Sequence, residues 1–424
     1  MKTILLFGAG KSATVLIDYL LEETKTNKWK FIIADANKEQ IVSKTNHSPF
    51  AEAIEMDITD DDKREAVIQR AHVVISMMPP ALHYLIAKDC VELRKHLLTA
   101  SYIDNKIKSL SDEIRHRKLL FLCEMGLDPG IDHMSAMKLI DGIKNEGGAI
   151  TSFKSHCGGL VAPESDDNPW HYKISWNPRN VVLAGKSGAN YKEHNATLHK
   201  SYEGLFTHCE EVVVDGLPPL VYYPNRDSLS YIPIYKLQSV QTFIRTTLRH
   251  PVFCIGWDAI VQADLTNDMD VINTSGLTFS AWSAAILPFV NDSNKTLLAY
   301  LGLFEDEPVP TTAKTSADIL QYLLELKLPM KSEDKDMVVM LHEIIYELKG
   351  KLYDVKSSLV VEGEDGIRTA MAKTVGLPLG ITAKLLLNGD IKLTGLHIPI
   401  IKEIYDPVLH ELSNMGICFT EKRS

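Results

Sequence analysis

Apolar runs and helical segments alternate regularly from Thr3 to Cys123. Short continuous apolar runs are typical of strands that are covered on both faces. The runs are Thr3–Phe7, Lys30–Ala34, Ala53–Met56, His72–Ser76, His96–Thr99 and Leu119–Cys123. Helical spacing of apolar residues separates them, for example over Asp61–Gln69 and Ser109–Arg117. This alternation predicts a Rossmann-type, doubly wound α/β domain with a parallel sheet and helices on both faces.

The pattern changes after Asp128-Pro129-Gly130. Residues 151–234 are rich in strand-like and turn-like segments, and helical patterns dominate residues 238–349, with a polar break at 331–336. A helical region over 369–388 precedes an amphipathic segment over 400–415. The chain beyond the first domain is therefore expected to contain a strand-rich part followed by a mainly helical one.

Composition and charge exclude several classes of protein. The 424 residues are 45% hydrophobic and carry a formal net charge of -10, without a basic block that would suit nucleic acid or an anionic membrane. The apolar start is interrupted at Gly8, and residues 271–291 are too polar to span a bilayer, so we expect neither a signal peptide nor a membrane span. Six scattered cysteines without a C-x-x-C pair indicate reduced thiols and a cytoplasmic protein.

A glycine-rich loop follows the first predicted strand directly. Its sequence, Gly8-Ala9-Gly10-Lys11-Ser12-Ala13, matches G-x-G-x-x-[GA] between a strand and a helix. The two glycines permit a tight turn and close approach of a pyrophosphate, and Ala13 lets the helix pack on the strand. A P-loop needs a glycine where Leu5 stands, so the ATPase interpretation fails. The loop predicts a dinucleotide site.

Acidic and apolar residues at the ends of the next strands bear on the choice of cofactor. Asp35 ends the second strand, where a carboxylate binds the ribose hydroxyls of NAD and repels a 2′-phosphate, so NAD is favoured over NADP. The alternative is that Asp35 merely ends the strand. Asp57 is either an adenine-side contact or part of a helix N-cap. Met77, Met78 and Pro79 are expected to flank the cofactor, unless they are ordinary loop residues.

Several downstream segments carry a specific resemblance. They are Thr99–Tyr102, Met125–His133, Ser155–Glu164, Asn168–Trp170 with Tyr172–Trp176, Tyr223–Ser228, Ile244–Arg249, Lys335–Met340 and Met371–Pro378. In these segments, and in their order from end to end, the chain resembles the saccharopine dehydrogenases of the L-glutamate-forming type. The L-D-P-G-I-D-H and C-G-G-L-x-A-P-E segments are far more specific than the glycine loop.

The resemblance implies a reaction and an architecture. Hydride leaves the ε-carbon of saccharopine for NAD or NADP, and water splits the resulting imine into L-glutamate and α-aminoadipate semialdehyde. The implied domains are a Rossmann domain over 1–129, an α/β substrate and dimerisation domain over 130–237 and 350–385, a mainly helical insert over 238–349, and C-terminal helices over 386–424 that pack back on the first domain. A homodimer with a small-molecule substrate is expected.

The resemblance also implies which residues form the site. Those at the family's saccharopine-binding positions are Ser101, Tyr102, Arg226, Arg245, Thr246 and Thr247. Those at its cofactor positions are Leu127, Asp128, Pro129 and Ser175. Because saccharopine has three carboxylates, the guanidinium forks of Arg226 and Arg245 suit it well. The structural alternatives are a local ion pair for Arg226, a solvated helix charge for Arg245 and a core position for Tyr102.

The acid/base group has two candidates, Asp128 and Tyr102, since imine hydrolysis needs proton transfer. Asp128 could equally form a type II turn with Pro129, leaving the proton transfer to a substrate carboxylate or to water. A thiolate mechanism at Cys157 is unnecessary because no covalent step is required. His194 and His199 lack partners at metal-ligand spacing, and we predict no metal.

Departures from the family pattern concern the substrate. Val161, Trp170, His171 and Thr246 stand where the family commonly has other residues. A dehydrogenase of a related opine-like substrate such as carboxynorspermidine is therefore an alternative, as is a non-catalytic NAD-binding regulator.

Overall fold

Strands and helices alternate in the N-terminal part of the structure, as the apolar runs predict. A computed structural model describes residues 1–424. The strands are β1 Thr3–Phe7, β2 Lys30–Asp35, β3 Ala51–Glu55, β4 Val73–Ser76, β5 His96–Thr99, β6 Leu120–Leu122, β7 Ala149–Val161, β8 Ala189–Glu193, β9 Ala196–Lys200, β10 Glu210–Val212, β11 Leu220–Pro224, β12 Arg226–Asp227, β13 Thr242–Arg249, β14 Asp336–Leu348, β15 Lys351–Glu362, β16 Gly395–His397 and β17 Thr420–Arg423.

Helices fill most of the remaining chain. They are α1 Thr14–Asn27, α2 Lys38–Thr45, α3 Asp61–Gln69, α4 His83–Glu92, α5 Asn105–Ser109, α6 Ser111–His116, α7 Ile131–Asn145, α8 Pro178–Val182, α9 Tyr231–Ile234, α10 Pro251–Gln262, α11 Phe279–Trp282, α12 Lys295–Tyr300, α13 Ser316–Lys327, α14 Ala370–Asn388 and α15 Lys402–Asn414. The chain forms two units: unit 1 comprises Met1–Asp141 and Ile367–Cys418, and unit 2 comprises Gly142–Gly366 and Phe419–Ser424.

Unit 1 is built on a seven-stranded sheet in the order β16-β6-β5-β4-β1-β2-β3. All neighbouring strands are parallel. The order 3-2-1-4-5-6 is that of a doubly wound dinucleotide fold, and β16 adds one further strand beside β6. This arrangement confirms the predicted Rossmann-type domain. The carboxyl ends of β1, β2, β4 and β5 consequently meet at one edge of the sheet, which is where ligands bind in such folds.

The C-terminal helix α14 packs on α1 within unit 1. Small residues allow the close approach, because a Cβ atom at Gly376 would lie 2.9 Å from the Cβ of Leu16, and one at Gly380 would lie 2.6 Å from Cδ1 of Tyr19. α14 is also the one helix long and apolar enough to cross a bilayer, and 67% of its most apolar window is buried inside the protein. It therefore has the properties of a core helix.

Unit 2 contains a ten-stranded mixed sheet. Its main path runs β10-β11-β13-β7-β14-β15-β17, and the short strands β8, β9 and β12 branch from it. The long hairpin β14–β15 is paired from Met337↔Glu362 to Leu348↔Lys351. A cluster of apolar side chains joins the sheet to α10, α12 and α13, with Trp170 and Trp257 almost fully buried in it. These features confirm an α/β second domain with a helical insert.

The boundaries of the units differ from the four predicted segments. The interval 238–349 begins and ends with the strands β13 and β14, so its helical part is confined to α10–α13. α14, assigned by sequence to the substrate domain, belongs to unit 1 because its buried face lies on α1. The segment over 386–424 supplies a strand to each sheet and a single helix, α15, rather than several helices.

Candidate active site

The glycine loop occupies the carboxyl end of β1 and leads through a short 3-10 turn, Lys11–Ala13, into α1. Gly8 has a φ of +94°, and a Cβ there would lie 3.0 Å from the carbonyl oxygen of Met77. A Cβ at Gly10 would meet no atom within 4 Å, so the backbone faces open space. Ala13 is buried, as its packing role requires. The loop therefore fits a pyrophosphate that approaches the backbone closely.

Asp35 is bonded to the protein backbone rather than left open. Its Oδ2 accepts a hydrogen bond from the N–H of Ala9 at 2.7 Å, and its Oδ1 accepts one from the N–H of Asn37 at 2.9 Å. The carboxylate thus ties the glycine loop to the end of β2. This structural role does not require a ribose, and it weakens the argument from Asp35 to NAD.

The other residues predicted at the cofactor lie at the ends of their strands. Met77 and Met78 flank the glycine loop, since the Sδ of Met78 would lie 3.3 Å from a Cβ at Gly8. Pro79 is exposed and precedes a 3-10 turn. Asp57 is exposed, and its Oδ1 accepts hydrogen bonds from the N–H and the hydroxyl of Thr59, each at 2.8 Å. The N-cap of α3 is instead Asp60.

A buried histidine links the ends of β4 and β5. The Nδ1 of His83 lies 2.7 Å from the hydroxyl of Ser76, and its Nε2 lies 2.7 Å from the hydroxyl of Ser101. Burial lowers the pKa of His83 to about 4, so the ring is neutral at physiological pH and donates through one nitrogen while accepting through the other. The imidazole of His83 therefore fixes the hydroxyl of Ser101, which is a predicted substrate contact.

The two acid/base candidates lie together in unit 1. The hydroxyl of Tyr102 donates to the Oδ1 of Asp128 at 3.3 Å. The Asp128–Pro129 peptide bond is cis, and the segment closes as the N–H of Gly126 donates to the carbonyl of Pro129 at 2.9 Å.

Buried polar residues flank this segment on both sides. The carboxylate of Glu124 contacts the Nε2 of His133 at 2.8 Å, and Asp132 accepts from the N–H of Gly130 at 2.6 Å. Glu124, Asp132 and His133 are each at most 4% exposed. The network fixes the loop that carries Leu127, Asp128 and Pro129.

In unit 2, the predicted carboxylate-binding residues lie on β13 and β12. Arg245 is 3% exposed within β13, and its guanidinium lies 4.5 Å from the centre of the Tyr231 ring. The interpretation of Arg245 as a solvated helix charge is therefore wrong, because the residue is buried in a strand. Arg226 is exposed on β12 with a φ of +53°. Ser175 is buried in a loop after the Ile174–Pro329 bridge.

Thr246 and Arg245 face opposite sides of the sheet, since side chains alternate along a strand. The hydroxyl of Thr246 lies 2.7 Å from the Nδ1 of His156, whose Nε2 contacts Glu343 at 3.2 Å. Burial lowers the pKa of His156, while the hydrogen bonds from His156 and Lys356 lower that of Glu343 to about 2. Thr247 lies on the same face of β13 as Arg245. Thr246 lies on the opposite face, where its hydroxyl contacts His156.

A second guanidinium on the face of Arg245 was not among the predicted site residues. Arg249 is 4% exposed and lies 5.4 Å from the Tyr172 ring centre and 5.3 Å from that of Phe253. Its Nη1 donates to the carbonyl of Leu248 at 2.8 Å, its Nε has no partner, and no carboxylate lies within ion-pair distance. Arg249 thus adds an uncompensated charge to the face of β13 that carries Arg245.

Sequence reasoning missed residues whose partners are distant in the chain. His83 and Glu124 belong to no local motif, and Arg249 ends the segment Ile244–Arg249 without a predicted role. A buried histidine or arginine is recognisable only once its neighbours are known.

Comparisons with known proteins cover both parts of the chain. Residues 4–121 match the family described as Saccharopine dehydrogenase NADP binding domain, and residues 126–417 match that described as Saccharopine dehydrogenase C-terminal domain. The chain is 32% identical to the Saccharopine dehydrogenase (NADP(+), L-glutamate-forming) of Saccharomyces cerevisiae over 99% of both proteins. The solved apo structure of a histidine-tagged saccharopine dehydrogenase (L-Glu forming) from that organism superposes with a TM-score of 0.90 at 32% identity, covering 100% of both chains.

Some relatives are longer proteins, and this chain matches only a part of each. The chain is 34% identical over 88% of its length to the Alpha-aminoadipic semialdehyde synthase of Arabidopsis thaliana, and it covers 38% of that protein. For the mitochondrial protein of the same name from Bos taurus, identity is 33% over 99% of the chain, which covers 47% of the relative. The chain thus spans less than half the length of these two curated relatives.

Proposed function

Because the chain belongs to the saccharopine dehydrogenase family, we propose that it oxidises saccharopine with NADP and water to L-glutamate and α-aminoadipate semialdehyde, or runs the reverse reaction. The observation that carries this proposal is the similarity to the yeast enzyme along the whole of both chains. The relative's name also states NADP, in agreement with the description of the N-terminal domain family. We therefore propose NADP in place of the NAD that Asp35 suggested.

Unit 1 supplies the cofactor side of the proposed chemistry. The open backbone at Gly10 and the start of α1 receive the pyrophosphate, and Met77 and Met78 line the loop. Bound NADP supplies the acceptor for the hydride that leaves the ε-carbon of saccharopine. The residues of this chain bind and orient the reactants and move protons.

Tyr102 and Asp128 are the proposed proton-transfer pair. Oxidation leaves a C=N bond, water adds to its carbon, and the C–N bond then breaks as the glutamate nitrogen takes up a proton. Each step moves a proton to or from oxygen or nitrogen, which a positioned phenol and carboxylate can do. The 3.3 Å hydrogen bond between the two groups lets them share that proton. Ser101, held by His83, is the neighbouring substrate contact.

Carboxylate binding is assigned to the guanidinium groups of unit 2. Arg245 and Arg249 place two guanidinium groups on one face of β13, and Arg226 is exposed on β12. A substrate with three carboxylates needs such cations, and guanidinium groups can bind each carboxylate through two hydrogen bonds. A polyamine-derived substrate would instead call for acidic groups, so this charge favours saccharopine over carboxynorspermidine.

The first test is direct: initial rates with saccharopine and NADP, and then with NAD. We expect NADPH formation that requires saccharopine, with lower kcat/KM for NAD. If the protein binds NADP but saccharopine yields no NADPH, and glutamate with the semialdehyde consumes none, the proposed reaction is wrong.

A substitution at Arg226 tests the carboxylate contacts. Arg226→Gln should raise KM for saccharopine about 10- to 100-fold and leave NADP affinity unchanged, because a charged hydrogen bond contributes about 1.5–3 kcal/mol. Lys349→Gln is the matched control, since Lys349 is also an exposed cation in unit 2 with a φ of +53°. Equal losses of saccharopine and NADP binding in the Arg226 variant would remove Arg226 from the substrate site.

A further inference from the structure

Beside the glycine loop lies a cation, Lys44, which no sequence motif indicates. Lys44 is in the last turn of α2, and its Nζ donates a hydrogen bond to the carbonyl oxygen of Gly10. The same loop is also held by Asp35, which accepts a hydrogen bond from the N–H of Ala9. The ammonium group and the carboxylate thus both contact the loop at the carboxyl end of β2.

The ammonium group of Lys44 lacks a dedicated counter-ion. Both nearby carboxylates have other partners: Asp35 accepts from two backbone N–H groups, and Asp18 accepts from the Nε of Arg368 at 2.9 Å. No carboxylate oxygen lies within ion-pair distance of its Nζ. Burial lowers the pKa of Lys44 to about 8, although Asp35 and Asp18 act in the opposite direction. An anionic ligand group would supply the missing charge.

The position of Lys44 in the dinucleotide fold indicates which anionic group of the ligand it would contact. In a dinucleotide fold the residue that ends the second strand lies at the adenine ribose, and its neighbours discriminate a 2′-hydroxyl from a 2′-phosphate. Asp35 ends that strand here, and alone it would repel a phosphate. We propose that Lys44 binds the 2′-phosphate of NADP and sets the preference for NADP over NAD. This inference rests on the proposed cofactor site and does not depend on the identity of the oxidised substrate.

Binding of nucleotide fragments tests the proposal without any enzyme activity. Isothermal titration with 2′,5′-ADP and with 5′-AMP measures the contribution of the 2′-phosphate directly. Lys44→Met should weaken 2′,5′-ADP about 10- to 100-fold, in line with one charged hydrogen bond, and leave 5′-AMP unchanged. Lys44→Arg should retain most of the preference.

Lys25→Met is the control, because Lys25 is an exposed cation at the far end of α1 from the glycine loop. It should leave both affinities unchanged. Equal weakening of both fragments by Lys44→Met would show that Lys44 only supports the loop. An unchanged affinity for 2′,5′-ADP, or a wild-type protein without preference for it, would also overturn the proposal. Absence of saccharopine oxidation together with a Lys44-dependent preference would refute the proposed reaction alone.

A pH series gives a second readout. The charged groups around the ammonium are Asp35 on β2 and Asp18 on α1. The preference for 2′,5′-ADP over 5′-AMP should therefore decline as the pH rises above 8 in the wild type, because the free ammonium loses its proton. Lys44→Arg should abolish that decline, since a guanidinium stays charged. A decline that persists in the arginine variant contradicts the assignment.

Discussion

The imidazole of His83 is buried between two hydroxyls at neighbouring strand ends, those of Ser76 and Ser101. Burial lowers its pKa to about 4, so the folded protein takes up this proton only near pH 4. The unfolded chain takes it up near pH 6.5. The two states therefore differ in bound protons between these two values.

This difference predicts a pH dependence of stability. As the pH falls from 6.5 to 4 the unfolded state is favoured, and the loss of unfolding free energy assigned to His83 is about 3 kcal/mol. Urea unfolding at pH 7.5 and pH 5 measures the part of this loss that falls between those two pH values, about 2 kcal/mol. His83→Gln, which cannot titrate, should show a smaller decrease between the two pH values. An identical decrease in both proteins would mean that His83 does not titrate as described.

Among individual residues, the site residues that could be predicted from the sequence are those that belong to one contiguous motif. Gly8 to Ala13 form a contiguous loop whose backbone conformation follows from their side chains, and Asp35 occurs at the expected spacing. The contacts of Lys44 and His83 could not be predicted, since each joins elements that are separate in the sequence. Thr246 shows a related difficulty: the resemblance names the position, and only the pleat of β13 shows that its hydroxyl faces His156.

Among the secondary-structure elements, a strand could be predicted from the sequence where its burial pattern is unambiguous. β1 and β5 were predicted with their observed bounds, because strands of a parallel sheet are apolar throughout. The prediction of a helical region over 238–349 is wrong for β13 and β14, which are strands. In β14 the apolar residues recur at spacings that also fit a helix, although its hairpin partner makes it a strand. β16 has three residues, too few for any periodicity.

The close contact between α14 and α1 predicts that adding one methyl group at Gly376 lowers the stability of the protein. Gly376→Ala places a Cβ 2.9 Å from that of Leu16, and we expect a loss of about 1–3 kcal/mol in unfolding free energy from overpacking. Gly142→Ala in α7 is the control, since a Cβ there meets nothing within 4 Å. That change should stabilise by up to about 1 kcal/mol through helix propensity. Thermal unfolding of the two variants should shift in opposite directions, and equal shifts would contradict the close packing.

At the scale of the whole molecule, unit 1 is assembled from two distant stretches of chain. The first stretch provides β1–β6, and the second covers α1 with α14 and extends the sheet beyond β6 with β16. The nucleotide-binding unit therefore depends on residues that come after Gly366, the end of the long stretch of unit 2. Oligomeric state and cellular location stay predictions.

Truncation separates these contributions. A chain that ends at Gly366 lacks α14, β16 and α15, and we expect it to aggregate or to lose NADP binding, because the apolar face of α1 is then uncovered. A chain that ends at Cys418 loses only the edge strand β17 of unit 2 and should retain NADP binding. Both outcomes are measured by size-exclusion chromatography and nucleotide titration. Normal NADP affinity in the shorter chain would refute the dependence.

The position of β16 also has a consequence during synthesis on the ribosome. β6 ends at Leu122 and its outer neighbour begins at Gly395, so at about 5–20 residues per second roughly tens of seconds pass between their translation. Throughout that interval the nascent sheet carries an open edge of unpaired amides. Chaperone capture of the growing polypeptide should therefore be strongest in that window and decrease once β16 has paired with β6.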